Sequence, residues 1–263
     1  MAVAWPSIGN ARTRYERDGY VLYPRVLDED LVQEARRHVE WLIARHPGTP
    51  WERLDLQLAR DDPFWRRVTG DDRLLDIAEQ FIGPDIALFA TGYICKPPFE
   101  GQQVLWHQDG SYWPLDPMEV VTLWVAIDDS LPENGCLRVI SGSHRLDLQI
   151  MQRRTDVANL LNSEIDPSLV DETKAVDCAL QAGGVEVHHP NIIHGSNANT
   201  SPRRRCGLLI RYIPTSTRIT KGPWSLTTFL LRGRAVPGVN EYQPRPVWVS
   251  GKHVPFRGCE SWQ

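Results

Sequence analysis

The spacing of apolar residues changes character near residue 86. Before that point, DEDLVQEARRHVEWLIAR (28–45) places Leu31, Val32, Ala35, Val39, Leu42 and Ile43 at helical intervals, as an amphipathic helix with one buried stripe requires. Asp28 or Asp30 is positioned to cap its start, and Pro47 with Gly48 stops it. A second helix is predicted over DDRLLDIAEQFIG (71–83), closed by Gly83 with Pro84 just beyond. From Ile86 onward the pattern is that of strands. IALFATGYICK (86–96), VVTLWVAI (120–127), CLRVI (136–140), GGVEVHH (183–189) and CGLLIRYI (206–213) are separated by turns such as PENG (132–135). Their β-branched and aromatic content suits pleated, half-buried surfaces. Helices followed by a run of strands predict an α+β fold, mainly β.

Residues 144–180 interrupt the strands with a polar, charged stretch of partial helical patterning and no clean apolar face. Long excursions from a compact domain have two readings, a lid or substrate loop and a surface insertion without function. No repeat, low-complexity tract or linker divides the chain, so residues 1–263 are expected to form a single domain.

Composition narrows the function classes. The 263 residues are 41% hydrophobic and 24% charged, ordinary for a globular protein, and the net charge of -4 provides no global positive field for nucleic acid. No apolar run approaches the roughly 18 residues that span a bilayer, so no membrane is expected. The N-terminal stretch lacks the basic-then-apolar order of a signal peptide, which points to a cytoplasmic protein. Five scattered cysteines without a C-x-x-C pair argue against a disulfide framework or a zinc-thiolate site, and read as small buried hydrophobes. Ten tryptophans and twenty prolines suit short strands joined by many loops. Oligomeric state leaves no signal in the chain.

The candidate chemistry starts at LWHQDGSYW (105–113), where His107 and Asp109 stand two apart. On a strand that spacing points both side chains one way, toward a metal; the competing reading is a solvated turn. His194 follows within HHPNIIHGSNANTSPRRRC (188–206). Two imidazoles and one carboxylate make the facial set that holds non-heme Fe(II) and leaves positions open for an oxidant and a co-substrate. His188 and His189 are rivals to His194 for the second imidazole. Arg205 lies eleven residues after His194, at the edge of a strand, where a guanidinium can turn inward toward a carboxylate. Arg203 and Arg204 read as a solvated basic run, and His38 as a surface or packing residue of the first helix.

Three motifs in order, WHQDGSYWPL, PENGCLRVISGSH and HGSNANTSPRRR, preceded by YERDGYVLYPRVLDEDLVQEAR, resemble the phytanoyl-CoA dioxygenase family of Fe(II)/2-oxoglutarate oxygenases, across roughly residues 15–213. The resemblance implies a double-stranded β-helix, a jelly-roll barrel with supporting N-terminal helices. It implies that His107, Asp109 and His194 ligate Fe(II), that Arg205 pairs with the distal carboxylate of 2-oxoglutarate, and that Ser196 hydrogen-bonds beside it. Trp124 falls where the family often lines the co-substrate, with Lys96 and Gln103 as further candidates for that pocket. One departure is Leu137, where many members carry a threonine that contacts the co-substrate. The implied reaction is hydroxylation of an unactivated C–H bond of a small molecule with O2, releasing succinate and CO2. Desaturation, epimerisation and ring rearrangement share the oxidant. Halogenation is disfavoured because Asp109 occupies the place a halide needs, and a cupin metalloenzyme without 2-oxoglutarate would give Arg205 no role. Candidate substrate contacts are Tyr112 and Trp113, for which packing at the barrel rim competes, and Arg211 and Trp224, with Arg218 and Lys221 nearby.

Overall fold

The computed structural model describes residues 8–54, 62–222 and 228–263. Helices α1 (Ile8–Asp18), α2 (Glu29–Arg45), α3 (Pro63–Thr69) and α4 (Asp72–Ile82) flank a short strand β1 (Tyr20–Tyr23) and precede the remaining strands. Both expected helices form, with the expected cap at Asp28 and stop at Gly83, and with a further cap at Asp71. The Asp28 carboxylate accepts from the Leu31 N–H at 2.9 Å, Asp71 caps α4 through the Arg73 N–H at 3.1 Å, and Gly83 leaves α4 at φ 82°. Helices α1 and α3 lie outside the sequence expectation. Helix α1 is mostly polar, and α3 has only seven residues, started by Asp62 and Pro63.

Strand β2 (Ile86–Lys96) opens the barrel, followed by β3 (Val104–His107), β4 (Leu115–Asp116), β5 (Val121–Ala126) and β6 (Leu137–Ile140). Then come β7 (Gln152–Arg153), β8 (Ser163–Glu164), β9 (Ala175–Cys178), β10 (Val185–His188) and β11 (His194–Ser196). The last are β12 (Arg205–Pro214), β13 (Arg218–Ile219) and β14 (Phe229–Arg232). Two large antiparallel sheets result, one in the order β1-β10-β5-β12-β2-β14 and one in the order β3-β11-β6-β9, beside the two-stranded pairs β4–β13 and β7–β8. They form the jelly roll, with the supporting helices against the larger sheet.

Strict alternation divides that larger sheet. Val121, Leu123 and Val125 of β5, Val185 and Val187 of β10, and Cys206, Leu208, Ile210 and Tyr212 of β12 pack with α2, α3 and α4 in the main core. At roughly 1.5–3 kcal/mol for each large apolar side chain fully buried, this outer layer fixes the sheet. The intervening residues, Thr122 and Trp124, Glu186 and His188, and Arg205, Gly207, Leu209 and Arg211, point to the barrel interior. The polar inner face is thus held rigid by an apolar outer one.

The excursion after residue 144 does not form helices. It holds the hairpin β7–β8 and several single turns, and it ends earlier than its composition indicated, because β9 pairs with β6 as an edge strand of the smaller sheet. Its middle lies along β3, where the Leu160 N–H donates to the Gln103 carbonyl at 3.1 Å and the Ile165 N–H to that of Trp106 at 2.8 Å. Among the described residues no helix is long and apolar enough to cross a membrane. All five cysteines are buried free thiols.

Candidate metal centre

His107 and His194 meet because β3 and β11 pair antiparallel with these two residues directly opposite. Both rings are buried, with centroids 4.0 Å apart. The Nδ1 of His107 lies 2.9 Å from the Leu105 carbonyl and that of His194 lies 3.0 Å from the Ile192 carbonyl. A carbonyl only accepts, so each Nδ1 carries the hydrogen and each Nε2 offers its lone pair to the interior. Carbonyl-fixed tautomers of this kind are usual for metal-binding histidines.

Asp109 reaches the same point by another route. The strand ends at His107, and Asp109 opens a single 3-10 turn, Asp109–Tyr112; its convergence with His107 is therefore a property of the turn, not of the strand pleat. Buried Gln108 clamps that turn, donating to the Asn191 carbonyl at 2.8 Å and accepting from the Gln149 N–H at 2.8 Å. The Gly110 N–H donates to the Pro190 carbonyl at 2.9 Å. One Asp109 oxygen, Oδ1, lies 3.5 Å from His107 Nε2 and 3.9 Å from His194 Nε2. The three ligand atoms all lie within 4.8 Å of one another. Two neutral-capable imidazoles and one hard oxygen suit Fe(II), so the residues present fit the metal.

Electrostatics prepare the set for a cation. Burial favours the neutral form of Asp109, but the Arg211 guanidinium and the contacts from His107 and His188 outweigh it and hold the carboxyl well below the usual carboxylate range. Burial, reinforced by His107 and His188, pushes the His194 imidazole well down, which keeps it neutral and ligating. His188, a rival by sequence, lies outside the cluster. Its Nδ1 is 2.7 Å from Glu186 Oε2, and its Nε2 stops 3.7 Å short of Asp109 Oδ2, the second oxygen of that carboxylate. His189 bonds through Nδ1 to the Asn191 N–H at 3.0 Å and is not part of the cluster.

The other end of the cavity is cationic. Arg205 and Lys96 are register partners across β12 and β2, and both are buried. Arg205 donates from Nε and Nη2 to the Gly135 carbonyl at 2.9 and 2.6 Å, and from Nη2 to Ser196 Oγ at 3.3 Å. Lys96 Nζ donates to Ser196 Oγ at 2.7 Å and to the Asn197 carbonyl. No carboxylate among the described residues pairs with either side chain within 4 Å. Burial, with the Arg205 charge adding to it, pushes the Lys96 ammonium down to about 5. Two desolvated, unneutralised basic groups side by side make a site for an anion.

Trp124 lies between the two ends, 5.3 Å below the Arg205 guanidinium carbon. Ile94, Leu137 and Leu209 complete the wall, so the residue at the departing position adds apolar surface. Gln103 stands elsewhere, bonded to the Ala158 carbonyl at 3.3 Å on the excursion. Arg211 lines the cavity beside Asp109. Tyr112 is 40% exposed and its hydroxyl bonds Ser163 Oγ at 2.6 Å. Trp113 packs edge-on against Phe89, with Arg211 over its ring at 5.1 Å. Arg218 is exposed and bonds the Gly238 and Val239 carbonyls at 3.1 and 3.2 Å. Trp224 lies outside the described residues. Arg204 is not a solvated cation, because Asp128 at the end of β5 holds it bidentately at 2.8 and 3.1 Å. His38 is fully buried and bonds Asp62 at 2.7 Å, a packing role.

The buried pair Glu186–His188 escaped the sequence reading. The alternation in VEVH put both on one face, but adjacency to His189 and His194 drew attention to metal ligation alone.

A jelly roll that converges two histidines and an aspartate opposite an anion site defines a class of non-heme metal-dependent oxygenases. Residues 15–207 match the model of the phytanoyl-CoA dioxygenase (PhyH) family. The ectoine dioxygenase of Stutzerimonas stutzeri (strain A1501) is 27% identical over 224 residues, 76% of this chain and 74% of that protein. The L-proline trans-4-hydroxylase of Streptomyces griseoviridis is 27% identical over 248 residues, 85% of this chain and 91% of that protein. Among solved structures, the apo form of the non-heme monooxygenase ThoJ superposes with a TM-score of 0.76 at 26% identity, covering 89% of this chain and 87% of that one. The chain belongs to the phytanoyl-CoA dioxygenase family, enzymes dependent on Fe(II) and 2-oxoglutarate.

Proposed function

We propose that the protein hydroxylates an unactivated C–H bond of a small molecule, with His107, Asp109 and His194 holding Fe(II) and Arg205 receiving the distal carboxylate of 2-oxoglutarate. Bound there, the two cofactors supply the oxidising power, one oxygen atom of O2 entering the substrate and the other the succinate formed as 2-oxoglutarate loses CO2. Ser196 and Lys96 flank Arg205 and share the anion. Trp124, Leu137 and Ile94 shield that end from water, which strengthens the ion pair. The observation carrying the reading is the buried basic pair Arg205 and Lys96 without a carboxylate partner, Arg205 lining the same cavity as the His–Asp–His set. A metalloenzyme without an anionic co-substrate would leave that pair unexplained. The relatives support hydroxylation, since one is named for hydroxylating L-proline and another for oxidising ectoine. Desaturation, epimerisation and rearrangement use the same donor set and differ by where the substrate sits.

The test is anaerobic addition of Fe(II) and then 2-oxoglutarate to the purified protein, followed by absorption spectroscopy. A metal-to-ligand charge-transfer band is expected, and admitting O2 should yield succinate. Iron bound in full with no band on saturation with 2-oxoglutarate refutes the co-substrate assignment.

A further inference from the structure

One row of the barrel interior contains polar atoms that nothing in the fold satisfies. His188 of β10 is the register partner of Thr122 of β5, and Thr122 is in turn the partner of Arg211 of β12. The three side chains stand next to one another on the inner face. His188 Nε2, Thr122 Oγ1 and Arg211 Nε are all buried without a hydrogen-bond partner. Native interiors leave few such atoms, and each one needs an explanation. Three in one row, beside Asp109, point to a shared missing partner.

Arg211 is the centre of the row. Its Nη2 lies 3.4 Å from Asp109 Oδ2, and the Trp113 ring under its guanidinium fixes the plane of the fork. It also connects two spaces. The cavity at the metal set and a second cavity of about 240 Å³ share Ile94, Leu161, Leu209 and Arg211 as walls. The second cavity is lined also by Gly92, where β2 contributes no side chain, and by Glu52 and Arg53. Arg211 is the shared wall residue that carries charge.

We infer that this row is the subsite for an acidic group of the substrate, and that the substrate is a small carboxylic acid whose carboxylate lies on Arg211 with Thr122 and His188 at its sides. A planar carboxylate matches a guanidinium fork whose Nε has no partner. Asp109 does not make this anion superfluous, because its charge is to be shared with the iron under the site reading on which the inference rests. The anchor stands beside a metal ligand, so the C–H bond presented for attack lies within a few bonds of the acid group.

The probe is butyrate labelled with carbon-13 at the carboxyl, added at millimolar concentration to the anaerobic Fe(II)·2-oxoglutarate complex after its charge-transfer band has formed. Butyramide serves as the matched neutral probe. Paramagnetic relaxation of the labelled carbon, scaled to band intensity, is expected for butyrate and not for butyramide. It should fall at least roughly tenfold in Arg211→Gln, and less in Thr122→Val, which keeps the guanidinium. Scaling to the band separates loss of the cofactors in a variant from loss of the anion. Equal relaxation of butyrate and butyramide in the wild type, or undiminished relaxation of butyrate in Arg211→Gln, overturns the inference while the cofactor reading stands. Failure of the band itself overturns both.

Discussion

Trp124 lays its indole against the backbone of Gly207, so closely that a Cβ at residue 207 would stand 2.0 Å from the indole Cζ2. The same indole supports the Arg205 guanidinium. Glycine at 207 therefore sets the floor of the anion site two residues from its cation. Gly207→Ala should displace the indole at an overpacking cost of about 1–3 kcal/mol. It should raise the concentration of 2-oxoglutarate needed for half-maximal charge-transfer absorption. A Gly207→Ala/Trp124→Phe double variant should regain stability in urea unfolding but not affinity.

Lys96 makes the protein's behaviour pH-dependent. Its folded-state value of about 5 lies far below that of an exposed lysine, near 10.4. Between these values the unfolded chain holds a proton that the folded chain lacks. This group's contribution therefore makes stability rise with pH across that window, by up to about 1.4 kcal/mol per unit. In unfolding measurements from pH 6 to 9 (roughly the middle of that window), Lys96→Met should remove this part of the slope. Arrival of a carboxylate favours the ammonium form. Binding of 2-oxoglutarate at neutral pH should then take up protons, as calorimetry in buffers of differing ionisation enthalpy would detect. An identical heat in every buffer would contradict the placement of Lys96 at the anion.

Glu186 and His188 form a buried ionisable pair, both fully enclosed. Removing one partner strands the other, at about 3–5 kcal/mol for such pairs. His188→Leu should lower the urea midpoint markedly, and Glu186→Gln in the same background should restore much of it. A purely additive double variant would show that the two residues do not act as a pair.

Removing the carboxylate ligand is expected to end the chemistry. Asp109→Ala should abolish substrate hydroxylation and reduce iron retained through gel filtration, with the fold intact by circular dichroism. Arg205→Ala should instead keep its iron and raise the 2-oxoglutarate requirement by roughly tenfold or more. An unchanged requirement would move the distal-carboxylate role to another residue.

Much of the framework was legible because alternation was clean where the sheet has one apolar and one polar face. Strand β2 coincides with IALFATGYICK, α2 is capped at Asp28, one of its two candidate caps, and α4 ends at Gly83 as its sequence signalled. The family motifs brought together His107, Asp109 and His194. Helix α1 was missed because its face is too polar to show periodicity, and α3 because it is two turns long. Gln103, a further candidate for the co-substrate pocket by the family resemblance, bonds the excursion at the Ala158 carbonyl. Arg204 looked solvated because its partner, Asp128, is 76 residues away in sequence. Long-range pairing of this kind leaves no local mark.

The direct opposition of His107 and His194 across β3 and β11 has a consequence for how the protein assembles itself. A one-residue slip between those strands would turn one imidazole out of the barrel. Iron would then bind tightly only to chains that had paired their strands in the native register. Convergence of the three ligand atoms within 4.8 Å thus depends on this one strand register.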